Sequence, residues 1–93
     1  MATTVLDYLA SVGRNEEALK IADAILAANP KDGYTMVRKG SVIQAIIKME
    51  YQDKFVMPYL IPANLRPHYL ALSAANEKAF ADAEAIGWEP SAN

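Results

Sequence analysis

The chain has no cysteine, one histidine and one tryptophan among 93 residues, and its formal charge at pH 7 is only −2. Without cysteine there is no disulfide framework and no thiolate chemistry, and a cytoplasmic location is the expectation. One histidine falls short of the ligand spacings of zinc sites. So weak a net charge gives no basic face of the kind that nucleic acid selects. No Gly-rich phosphate loop occurs. The opening MATTVLDYLA lacks the basic start and long apolar run of a secretion signal. Ser41 to Met49 is too short and too interrupted to cross a bilayer. A soluble chain without a membrane, nucleic-acid, metal or cofactor role is expected.

What is abundant is apolar residues, 53% of the chain and many of them alanine, which points to a thin, closely packed core. The length suits one domain spanning residues 1–93. A domain of this size has a stability of roughly 5–14 kcal/mol.

Val5, Leu6, Leu9 and Val12 fall at helical spacing and predict a first helix over 5–12. Gly13 suits the left-handed position that closes it. In GRNEEALKIADAILAANP, Asn15 has the chemistry of an N-cap, and Glu16 and Glu17 suit a first turn. Ala18, Ala22, Ile25 and Leu26 form the stripe of a second helix ended by Pro30. The short turn makes these two helices an antiparallel hairpin. A third helix is expected from Gly33–Tyr34 to Glu50 or Tyr51, capped by Asp32. Met36, Val37, Ile43, Ile46, Ile47 and Met49 would be its apolar positions, with Arg38, Gln44 and Lys48 left for solvent. Gly40 in its middle implies a close approach by another backbone. A last helix is expected from about Arg66 to Ile86. Pro67 suits its first turn, Gly87 its cap, and Trp88 should fold onto its last turn.

Gly13, Glu17-Ala18-Leu19, Ile25-Leu26 and Pro30-Lys31-Asp32 together resemble the second half of a tetratricopeptide repeat. Tyr34 to Ile47, with Gly40 at the small-residue position, resembles the first helix of a following repeat. Ala22 stands where that family has a large aromatic, Lys39 where it has an apolar residue, and no Gly-turn follows Ile47. The resemblance covers about half the chain. With the helices read above, the expected architecture is an all-α stack of about four helices with a long last helix, tetratricopeptide-like in its first half. The resemblance implies a protein or peptide partner in a concave groove. It would turn Val37, Ser41 and Gln44 toward that groove. Asp7 stands at a position where carboxylate-gripping members carry a basic or amide side chain, which argues against that ligand class.

Two further features are legible. Tyr8-Leu9-Ala10 matches Tyr69-Leu70-Ala71, and the same ungapped register continues to Ala22–Ile25 against Ala83–Ile86. Either this is chance agreement between alanine-rich helices, or the last helix is a straightened copy of the first hairpin. The stretch QDKFVMPYLIPAN contains Pro58 and Pro62, so it is no regular helix, yet Phe55–Ile61 is the most apolar run of the chain. It reads as a lid over the core or as an exposed patch in which Phe55, Met57, Tyr59 and Leu60 meet a partner.

Catalytic chemistry is hard to assemble. His68 falls at a helix start, where the dipole disfavours its charged form, and Asp7, Glu16, Glu17 and Asp23 fit solvated faces. Lys31, Arg38, Lys39, Lys48, Lys54 and Arg66 gather in the middle third and read as a solvated face. The expected role is a non-catalytic protein-interaction or scaffold module. A structural subunit acting by self-association, as a homodimer or larger assembly, and a small apolar-ligand carrier are the alternatives.

Overall fold

A computed structural model describes residues 2–88. The fold is all-α: α1 (Ala2–Ser11), α2 (Asn15–Ala28), α3 (Gly33–Ile47) and α4 (Arg66–Ala85), with no strand among the described residues. None of these helices is long and apolar enough to cross a membrane.

Gly13 reverses the chain after α1 at φ +79°. The Arg14 N–H donates to the Leu9 carbonyl at 2.9 Å and the Gly13 N–H to Ala10 at 3.2 Å, the paired bonds of a Schellman turn. That turn makes Arg14 the residue before α2, so Asn15 is not the cap expected of it. Asn15 is the first residue inside the helix, nearly buried, with its Nδ2 3.7 Å from the Met49 sulfur. Ala18 and Ala22 are fully buried and let α2 lie close on Leu6 and Leu9 of α1. Val42 and Ile46 of α3 complete this cluster.

Asp32 caps α3 as expected. One carboxylate oxygen accepts from the Thr35 N–H at 3.1 Å and the other from the Thr35 hydroxyl at 2.8 Å. Both partners of a fully buried threonine are thereby supplied.

α3 is the spine, with α2 packed on one side and α4 on another. Gly40 does not receive a backbone, as the spacing suggested, but an aromatic ring. A Cβ at Gly40 would lie 2.6 Å from Cε2 of Phe80, and one at Gly33 would overlap Trp88. Trp88 therefore covers the start of α3 rather than only the last turn of its own helix. The pairings 33 with 88 and 40 with 80 run in opposite senses, so α3 and α4 are antiparallel. At the far end Tyr69 meets Tyr51 edge-on, with ring centroids 5.2 Å apart. α4 runs unbroken through 73–76, as a straightened copy requires. A second Schellman turn closes it: Gly87 has φ +72°, and Trp88 N–H donates to Ala83 at 3.2 Å. Leu65 and Ile86, flanking its two ends, stand exposed.

The end of α3 departs from expectation. Lys48–Gln52 forms a π-helical turn, closed by the Asp53 N–H on the Lys48 carbonyl at 2.8 Å. The wider turn rotates the chain away from the α-helical register. Met49, expected inward, is 56% exposed, and Tyr51 is 3% exposed.

Candidate functional site

The connector between the π turn and α4 is held by its own backbone. Leu60 N–H donates to Met57 at 2.9 Å, Ile61 to Pro58 at 3.2 Å, and Leu65 to Pro62 at 2.9 Å. Arg66 Nη2 fastens the exit by donating to the Ile61 carbonyl at 3.0 Å. Pro58–Leu60 is a short 3-10 turn that divides the apolar run into two sets. Ile61 is buried and Phe55 half-buried, whereas Val56 is 86%, Tyr59 71%, Leu60 51% and Met57 44% exposed. The lid reading therefore fails for most of the run, because every residue from Val56 to Leu60 stands in solvent and only Ile61 is buried.

Beside these side chains lies a half-open hollow of about 310 Å³, lined by Tyr51, Phe55, Pro58, Ile61 and Tyr69 among others. Its floor is supplied by the π turn, which no sequence signal announced. Burial, helped by the neighbouring Glu50, pushes the Tyr51 phenol above its ordinary value. His68 Nε2 lies 3.8 Å from Glu50 Oε2, and its ring tilts toward Tyr51 at 6.2 Å. The pairing spans the π turn and α4, so spacing alone could not reveal it.

Val37, Ser41 and Gln44 do not converge. Val37 and Ser41 are half-buried and Gln44 is exposed. Ser41 opens on a cleft of about 260 Å³ between α1 and α3, shared with Asp7 and Arg38. Gln44 opens on a separate polar hollow between α3 and α4, shared with Gln52, Ser73 and Asn76. Oδ1 of Asn76 is buried there without a hydrogen-bond partner.

Arg38 and Asp7 are not simply solvated, as the helical pattern suggested. Arg38 Nε lies 2.9 Å from Asp7 Oδ1, and the Tyr34 hydroxyl donates to the same carboxylate at 2.8 Å while accepting from Arg38 at 3.2 Å. The hydrogen bond to Tyr34 is the main reason the Arg38 pKa is raised, with Asp7 adding to it against the opposing effect of burial. Lys39 pairs with Asp23 at 2.6 Å. Two of the gathered basic residues thus tie α3 to the hairpin. Among the described residues no three acidic or histidine side chains sit close enough to hold a metal ion. Among the described residues the connector beside its hollow brings several large apolar side chains together in solvent, and Val5, Tyr8 and Val12 make a second such stripe on and just after α1.

No family model, curated protein or solved structure matches the chain.

Proposed function

We propose that this chain is a non-catalytic protein-interaction module, with a tetratricopeptide-like hairpin at its start, working in the cytoplasm. The observation that carries the reading is the outward set Val56, Met57, Tyr59 and Leu60, fixed by a hydrogen-bonded turn beside an aromatic hollow. Isolated exposed apolar residues are ordinary, but a contiguous rigid group of them at a hollow is characteristic of docking surfaces. The backbone over 57–61 is already hydrogen-bonded, so less freedom is lost on contact, which favours affinity. What supports the tetratricopeptide-like hairpin is the sequence pattern of Gly13 and Ala18, from which Ala22 departs.

The reading puts the partner face on the connector rather than on the α3 positions; what supports this is that Ser41 and Gln44 open on different clefts. Capture from a lysate of the source cells, compared between the native chain and a Val56→Asp/Leu60→Asp variant of unchanged helical content, tests this. Proteins retained by the native chain and lost by the variant are expected. An identical set from both would refute the connector as the working surface.

A further inference from the structure

We propose that Met49 is an oxidation site whose sulfoxide is held by Asn15 more firmly than its thioether is, so that a peroxide tightens the contact between α2 and the π turn. The proposal stands on Met49 and its neighbours and does not depend on the connector as an interaction surface. The π turn takes Met49 out of the α-helical register and leaves it 56% exposed, whereas Met36 in the core is 8% exposed. A peroxide oxidises a thioether that it can reach. The sulfur lone pair attacks one peroxide oxygen, and the S–O bond forms as the O–O bond breaks. That oxygen gives up its proton, and the leaving hydroxide takes one and departs as water. The sulfur is oxidised by two electrons and the peroxide reduced.

The surroundings of Met49 suit the product better than the reactant. Asn15 Nδ2 donates an N–H to the Met49 sulfur at 3.7 Å. A thioether is a weak acceptor, and Asn15 is nearly buried at the start of α2, so its amide has little water to turn to. A sulfoxide oxygen on the same sulfur offers that N–H a much stronger acceptor. A hollow of about 170 Å³, lined by Gly13, Asn15, Glu16, Ile46 and Met49 with Glu50, has room for the added atom. Oxidation disrupts a packed methionine by forcing a polar oxygen into an apolar site. More than half of Met49 already faces water, so that penalty is small here while the hydrogen bond gains strength. The two residues stand 34 apart in the chain, on α2 and the π turn, so the bond fastens elements that are not neighbours in sequence. Sulfoxide reductases restore the thioether, which makes the contact reversible.

Hydrogen peroxide acting on the full chain is the probe. Peptide mass mapping at partial conversion should show Met49 gaining oxygen at least about fivefold faster than Met36. As Met49 converts, the side-chain NH2 proton signals of Asn15 should move downfield, the mark of a stronger acceptor. Thermal unfolding reads the energetic side. Asn15→Ala keeps a good helix former in α2, so the variant should fold. On full conversion the melting temperature of the native chain should change about 2–5 °C more favourably than that of Asn15→Ala. The other methionines are the same in both chains, so the difference reports the Asn15 contact, and in a Met49→Leu background it should vanish. Oxidation of Met49 as slow as that of Met36, or unmoved Asn15 signals, would overturn the proposal. So would a melting change no more favourable in the native chain than in Asn15→Ala.

Discussion

Leu6→Ala is expected to lower stability by about 3–5 kcal/mol, the upper part of the range for such truncations. The cost of removing a buried leucine depends on how far its surroundings collapse into the space. Leu6 is fully buried, and two of its cluster partners, Ala18 and Ala22, have no rotatable side chain to fill a void. Of the other cluster members, Leu9 lies on α1 itself, and Val42 and Ile46 belong to α3, which the Arg38–Asp7 and Lys39–Asp23 pairs link to the hairpin. A loss of this size is a large fraction of the roughly 5–14 kcal/mol available to a domain of this length. Urea titration should show a much lower midpoint with an unchanged slope. A loss below about 1.5 kcal/mol would mean that the hairpin repacks freely, contrary to the close helix contact described above.

The second large effect is expected at Gly40. Valine there places a Cβ 2.6 Å from the Phe80 ring and adds two carbons beyond it. Leaving glycine returns about 0.5–1 kcal/mol of helix propensity at most, while overfilling a packed contact costs about 1–3 kcal/mol. The net change is destabilising because the ring must leave its seat. Phe80 is half-buried, so it can swing outward, which limits the damage to the α3–α4 seam. Combining Gly40→Val with Phe80→Ala should therefore cost less than the two changes separately, by about 0.5–3 kcal/mol. Strict additivity would show that ring and glycine are not in contact.

These two sites also mark what could be read from the sequence. Helix periodicity, Gly13, Asp32, Pro67 and Gly87 located the four helices within a few residues, since each signal is local. Gly40 announced a close neighbour but not its kind, because Phe80 lies on a different helix, 40 residues away. Asp7 and Arg38 looked solvated for the same reason: a helical pattern sees one face and not the helix opposite. Asn15 misled through competition, since the Schellman turn at Gly13 took the boundary that an N-cap would have set. The π turn was invisible because KMEYQ has no feature that distinguishes it from α-helix, and the hollow beside the connector depends on it. The apolar character of Phe55–Ile61 was plain, yet only the 3-10 turn at Pro58 decides that Tyr59 and Leu60 face outward.

Seating of α4 on α3 fixes where the connector stands, so proton chemical shifts of Gly33 and Gly40 test the account most directly. With Trp88 and Phe80 packed against them, the Hα signals of both glycines should be displaced from their ordinary positions by ring currents, and Phe80→Leu should return Gly40 alone to its ordinary position. Glycine Hα signals at random-coil values in the folded native chain would contradict the arrangement.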